Sequence, residues 1–288
     1  MQLTIRQMLE NKIHELRTAF YRKHAPKSGC CGLAELLKLY AWTLVEYHRV
    51  VHLDMDSLVL RNMDELFDRK DDPSLIYTCD YNMMNAQSRK RNPNLDKACA
   101  VQGGFVVVKP SIEVFHGMVE TVREGRFGAG FKNGASGWNG TGIGHWWGGA
   151  TFQGLVPFYY DRVVAKERFP KVEVDRCLYD NMVDDPISPP PLQGSVDCRA
   201  TPFEEIKGVH FTLCQKPWNC GWPEQKGDEK QHLCKQLHER WMLLREKTMN
   251  RLNIDVDREV PQERRGSNTW HRGGCWKGKY RPFAEVLS

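Results

Sequence analysis

The stretch Arg49-Val50-Val51-His52-Leu53-Asp54-Met55-Asp56-Ser57-Leu58-Val59-Leu60 decides how this chain is read. Val50 to Leu53 is a short apolar run of strand type, and two carboxylates follow it two positions apart. In extended backbone alternate side chains face the same way, so Asp54 and Asp56 can converge on one cation. A hard divalent ion such as manganese or magnesium takes oxygen ligands, commonly one or two carboxylates completed by substrate phosphate oxygens. A bound cation stabilises negative charge that builds up on such oxygens. An isolated Asp-x-Asp is most often a loop or cap pair, so its surroundings carry the argument.

Upstream, Leu33, Leu36, Leu37, Tyr40, Leu44 and Val45 recur at three- and four-residue steps, which predicts a helix from Leu33 to Tyr47 with one apolar stripe on a core. A helix feeding a wholly apolar strand is the pattern of a buried parallel sheet, whose ligands sit beyond the strand carboxyl ends. Leu75 to Thr78 and Phe105 to Val108 read as further buried strands, and Ile112 to Arg123 as a helix. Asn133 to Ala150 reads as a Gly- and Trp-rich loop, Asp184 to Pro202 as a Pro-rich connector, and Asp228 to Leu252 as an amphipathic helix carrying Leu233, Leu237, Trp241 and Leu244. Met1 to Arg22 has a helical apolar pattern. No internal repeat is present.

The chain has 288 residues, 41% hydrophobic and 27% charged, and no apolar run long enough to span a bilayer. Met1 to Arg22 carries charges every few residues and lacks the continuous apolar centre of a signal peptide. As written, the chain reads as cytoplasmic; a Golgi lumen assignment would need a segment ahead of Met1. The net charge of +5 is local, since Lys226 to Ser288 holds fourteen Lys/Arg against nine Asp/Glu. These bases are interleaved with acids and form no nucleic-acid motif, so they read as a solvated face. The ten cysteines are scattered without a C-x-x-C pair, and buried free thiols are expected in a chain of this size.

Around Asp54 and Asp56 stand Leu37-Lys38-Leu39, Asn62-Met63-Asp64-Glu65-Leu66-Phe67-Asp68, Gln102-Gly103-Gly104-Phe105-Val106-Val107-Val108-Lys109-Pro110-Ser111, Gln153-Gly154, His210-Phe211 and Lys216-Pro217-Trp218. In order and spacing these resemble glycosyltransferase family 8, which includes glycogenin, galactinol synthase and plant glucuronosyltransferases. The resemblance covers roughly residues 32–222. It implies an α/β fold of GT-A type, a Rossmann-like mixed sheet. The implied division is an N-terminal helical segment over 1–31, the transferase-like domain over 32–222, and a C-terminal helix with a basic tail over 223–288.

The family activity is retaining transfer of a hexosyl or hexuronosyl unit from a UDP-sugar to an acceptor hydroxyl with a divalent metal. By resemblance the metal ligands are Asp54, Asp56 and His210. Lys216 and Gln153 fall at catalytic positions, with Lys216 neutralising the diphosphate. Lys38, Asp80, Gln102, Gly103 and Gly104 match donor-binding positions. Each has a plainer reading: Lys38 as a solvated surface charge, Asp80 as a loop cap, His210 as a structural histidine, and the glycines as a bulge. The acceptor, a glycan, lipid or protein, is not named by any motif.

Three departures stand against the resemblance. Relatives read Asp-Gln-Gly where this chain has Phe152-Gln153-Gly154, and they carry a glycine where this chain has Leu213. The family's first strand, which cradles the uridine, has no counterpart in Met1 to Arg22. A catalytically degenerate relative acting as a binding or scaffold protein is therefore the rival reading. The loop from Gly137 to Gly149 is either an acceptor lid with exposed indoles or a loop whose tryptophans fill the core. Its Asn139-Gly140-Thr141 is a glycosylation sequon, and a glycan beside the site would hinder an acceptor, which favours a non-lumenal compartment.

Overall fold

A computed structural model describes residues 25–29, 31–80, 99–129, 136–164, 166–182, 197–212, 216–217, 232–254, 275–276 and 279–280. The helix read in Met1 to Arg22 and most of the Pro-rich connector lie outside these residues. The described residues form two compact units. The first takes those within Met1–Asp54 and Met63–Arg176; the second takes those within Met55–Asn62, Cys177–Pro190 and Val196–Ser288.

The first unit is built on a four-stranded sheet. Its strands are β1 (Val50–Leu53), β3 (Leu75–Cys79), β4 (Val101–Val108) and β7 (Lys171–Glu173), in the order β1-β4-β3-β7. All eight residues of β4 and all five of β3 are buried, because these two strands occupy the centre. β1 is an edge strand of half-exposed residues, antiparallel to β4 with Val50 opposite Val108 and Leu53 opposite Phe105. β3 is also antiparallel to β4, and only β7 joins in parallel, to β3. The expectation of a buried parallel sheet is thus corrected: the sheet is mixed, with one parallel pair. A continuous apolar run reports burial on both faces, which a central antiparallel strand meets equally well.

The helix expected over Leu33 to Tyr47 is a 3₁₀ helix spanning Gly32–Thr43. Its three residues per turn select Leu36, Leu39 and Trp42 as the buried line, with Leu33 packed partly against the same core. Leu37, Leu44 and Val45, which an α-helical period would have buried, are exposed. Helix α1 (Ile112–Glu124) agrees with its pattern: Ser111 Oγ accepts from the Val114 amide, and Gly125, at φ 57°, ends the helix in the left-handed region. Val114, Phe115, Met118 and Val122 form its buried face. Each fully buried apolar side chain of this kind contributes roughly 1.5–3 kcal/mol.

The Trp-rich loop divides by residue. Trp138, at the end of β6 (Ser136–Trp138, paired with β5, Phe127–Ala129), is wholly buried and donates from Nε1 to Gly149 O at 2.8 Å. Trp147 is exposed. Helix α2 (Phe152–Phe158) follows, its face buried under the sheet's core.

The second unit pairs β2 (Ser57–Val59) antiparallel with β8 (Gly208–His210), so Ser57 faces His210. Helix α3 (His232–Arg251) places Leu233 and Leu237 on a small core with Ile206, Val209 and Phe211, as its apolar pattern predicts. A short strand pair, Cys275–Trp276 with Lys279–Tyr280, stands in the tail. The cysteines are not free thiols throughout. Cys79 is bonded to Cys99 and Cys177 to Cys198, and Cys234 is disulfide-bonded as well. Sequence spacing alone does not fix such pairs, since they are set by which strand ends the fold brings together.

Candidate functional site

In the first unit the sheet's ends gather seven of the sequence-selected residues. Lys38, on the 3₁₀ helix, places Nζ 2.8 Å from Asp54 Oδ1, 2.7 Å from Glu35 Oε2 and 3.0 Å from Gly103 O. It is therefore not a solvated surface charge. Burial works against its ammonium, but Asp54 and Glu35 outweigh burial and raise its pKa above the usual lysine value. His52 Nε2 also reaches Asp54 Oδ1, at 3.3 Å.

Asp80 is buried just past β3 and accepts from Gln102 Nε2 at 2.9 Å. Gln102 Oε1 accepts from the Gly104 amide at 3.0 Å and lies 3.5 Å from Gln153 Nε2. Asp80, Gln102, Gly104 and Gln153 thus form one hydrogen-bonded chain, and the reading of Asp80 as a mere loop cap does not hold. Gly103 lies inside β4 where the pairing with β3 shifts register, Tyr77 facing Val106 and Cys79 facing Val101, so the bulge reading holds there, and its bare backbone is closely approached. A Cβ there would stand 3.0 Å from Lys38 Nζ and 3.4 Å from Gln153 Cγ. Gly148 serves the same end, since a Cβ on it would meet Gln153 Oε1 at 1.9 Å. Phe152, where an aspartate was noted in relatives, is wholly buried and packs 6.2 Å from the Trp42 ring.

In the second unit Asp56 is met by two residues that follow far downstream. His210 Nε2 lies 3.3 Å from Asp56 Oδ1, and Lys216 donates to Asp56 Oδ2 and to the Phe211 carbonyl. Behind His210 stands Asp180, buried, with Oδ1 3.6 Å from Nδ1. Burial pulls the imidazole pKa down, but hydrogen bonds and charge from Asp180 and Asp56 outweigh that and raise it to about 10. The same contacts, from His210 and Lys216, overcome the burial of Asp56 and hold its carboxyl well below the usual range. Strand pairing of β2 with β8 explains why Asp56 and His210 meet: Asp56 immediately precedes β2, and its carbonyl accepts from the Phe211 amide at 2.9 Å.

Asp54 and Asp56 themselves lie in the turn after β1, with Met55 between them fully exposed. The period-two argument for their convergence is therefore not the operative one. The residues that the sequence reading passed over are Glu35, His52 and Asp180. Glu35 and Lys38 are an i,i+3 pair, and His52 and Asp54 an i,i+2 pair, so both were within reach of local spacing. Asp180 carries no local signal.

A carboxylate facing an imidazole, with a second carboxylate behind the other ring nitrogen, is the arrangement that orients a metal-ligating histidine. The donors of Asp56 and His210 thus fit a divalent cation.

The family model described as "Glycosyl transferase family 8" matches residues 2–111. That stretch belongs to glycosyl transferase family 8. The match starts at residue 2, so it takes in the N-terminal region where no uridine-cradling strand was read; that region lies outside the described residues. The family carries the GT-A type of α/β fold, and the mixed sheet accords with it. Among curated relatives, "Putative glucuronosyltransferase PGSIP8" of Arabidopsis thaliana is 36% identical over 91 residues, which is 32% of this chain and 14% of that protein. "Glycogenin-2" of Homo sapiens is 62% identical over 34 residues, 12% of this chain and 7% of that protein. The chain therefore matches only a small part of the length of these family 8 relatives. No helix among the described residues is long and apolar enough to cross a membrane.

Proposed function

We propose that this chain is a retaining glycosyltransferase that moves a hexosyl or hexuronosyl unit from a UDP-sugar to an acceptor hydroxyl. The observation that carries this reading is Asp56 meeting both His210 and Lys216, three residues selected from separate stretches of sequence. Asp54, Asp56 and His210 would hold a divalent cation, manganese or magnesium. Such a cation, when bound, supplies charge to stabilise the departing diphosphate.

The remaining steps belong to the protein's own groups. Lys216, already turned toward Asp56, is placed to neutralise the diphosphate as it leaves. Lys38, held between Asp54 and the Gly103 carbonyl, contributes a second positive charge on the donor side. Asp80 and Gln102 lock each other into fixed rotamers, which holds this polar pair in one geometry for the donor sugar. Gln153 extends that chain by one more amide, in the catalytic position that the family resemblance implies. Among these residues none is placed as a nucleophile, which favours same-face attack by the acceptor hydroxyl over a covalent intermediate.

A second reading rests on Phe152. With an aromatic ring in the core where relatives carry aspartate, the chain would keep the fold and bind without turnover. Calorimetric titration with UDP and manganese, beside an assay of UDP release from UDP-sugars, separates the two. Metal-dependent UDP binding abolished in Asp54→Ala, together with UDP release, supports the transferase; binding without release supports the scaffold. No UDP binding, or binding unaffected by Asp54→Ala, would sink the transferase and leave the scaffold.

A further inference from the structure

Asn139-Gly140-Thr141 is the single Asn-x-Ser/Thr sequon in the 288 residues. The Thr141 amide bonds to the Trp138 carbonyl at 3.0 Å, and the two residues between them, Asn139 and Gly140, have φ of 48° and 70°. That is a tight turn of primed type, the conformation that Asn-Gly adopts most readily. Trp138 on one side and Ile143 on the other are buried, while Asn139 and Gly140 are exposed. The backbone thus anchors the turn from both ends and pushes the asparagine outward. Among the described residues no side-chain hydrogen bond holds its amide. Thr141, whose hydroxyl the modification requires, is fixed by donating to the Trp138 carbonyl at 2.7 Å.

A second, independent observation concerns the compartment. Cys79–Cys99 and Cys177–Cys198 are disulfides, and Cys234 is bonded too, in a chain read from sequence as holding free thiols. Disulfides of this number persist in oxidising compartments and are rare in reducing ones. The eukaryotic secretory lumen is both oxidising and the place where asparagine amides meet lipid-pyrophosphate-linked oligosaccharides. We infer that Asn139 carries an N-linked glycan.

In that transfer the Asn139 Nδ2 forms a bond to the anomeric carbon of the lipid-linked oligosaccharide. The bond from that carbon to the pyrophosphate oxygen breaks, the amide gives up one proton, and the lipid pyrophosphate leaves. No oxidant is needed. Within this segment the contact with Gln153 is made by Gly148, nine residues beyond Asn139, which is itself exposed.

The test takes the full chain purified from the cells that make it and treats it with peptide N-glycosidase F in ¹⁸O water. The expected result is a gel shift together with conversion of Asn139 to ¹⁸O-labelled aspartate. In microsomal translation of the full chain behind a cleavable secretion signal, Asn139→Gln should abolish the shift and Thr141→Ser should keep it. Overturning results are unmodified Asn139 in the native protein, unlabelled aspartate arising there by deamidation alone, or a microsome-protected chain that shows no shift.

Discussion

His210 Nε2 stands 3.3 Å from Asp56 Oδ1, and the two shift each other's proton affinity in opposite directions. The sign of the resulting pH dependence follows from linkage. The histidine's raised value, about 10, means that its stabilisation is fully present below the unfolded value of 6.5 and is lost as pH rises toward 10. The aspartate's depressed value means stabilisation present above 3.8 and lost only in strong acid. The metal-free chain is therefore expected to be most stable near pH 4 to 6.5 and to weaken steadily toward pH 10. Urea midpoints in chelator across that range check this, and His210→Asn should flatten the alkaline limb. Manganese must displace the imidazole proton, so its affinity should rise over the same interval.

Lys38 is the positive centre of the first unit's cluster, with Glu35 and Asp54 both leaning on it. Lys38→Met removes the charge but keeps the stem, leaving two partly buried carboxylates facing each other. An expected loss of roughly 1–3 kcal/mol in unfolding free energy follows from unpaired polar groups of this kind. Lys38→Arg should not restore donor binding, because a planar guanidinium does not reproduce the compact ammonium's joint contacts with Gly103 O and Asp54. UDP titration of the two variants reads the difference; wild-type affinity in Lys38→Met would exclude a donor role.

Parts of this were legible in the sequence and parts were not, for physical reasons. The central strands and α1 were readable because burial on two faces, or a capped 3.6-residue period, leaves a local mark. The Gly32–Thr43 segment reads as α-helical because Leu33 and Leu36 fit both periods; burial of Leu39 and Trp42 with exposure of Leu37 and Leu44 distinguishes them. Strand direction was not legible, since apolarity carries no sense of direction. Asp180 was invisible because its meaning depends on His210, brought close by the β2–β8 pairing. The disulfides depend in the same way on chain ends that meet only after folding.

Gly154 follows Gln153 in a position that admits no side chain. A Cβ there would lie 2.0 Å from the Gly149 carbonyl oxygen and 2.7 Å from Gly144 Cα, both backbone. Gly154→Ala must move one strand of the loop, at an expected cost of roughly 1–3 kcal/mol. Because that loop also carries Gly148 against Gln153, the variant should bind UDP-sugar less well as well as melt earlier. Thermal melting and calorimetry on one preparation check both; an unchanged melting point would show that the loop yields freely.

Cys79 ends β3 one residue before Asp80, and its disulfide to Cys99 ties that end to the residue before Ala100, whose carbonyl accepts from the Asp80 amide at 2.8 Å. The bond closes a loop with a sequence separation of 20, for which loss of unfolded-state entropy alone predicts about 3 kcal/mol of stabilisation. The double variant Cys79→Ser with Cys99→Ser should lose that amount in denaturant unfolding. A second effect separates positioning from stability: with the clamp gone, Asp80 and Gln102 lose their fixed spacing, so affinity for a UDP-sugar should fall more than affinity for UDP. Equal losses for both ligands, measured well below the melting point, would mean that the disulfide acts on stability alone.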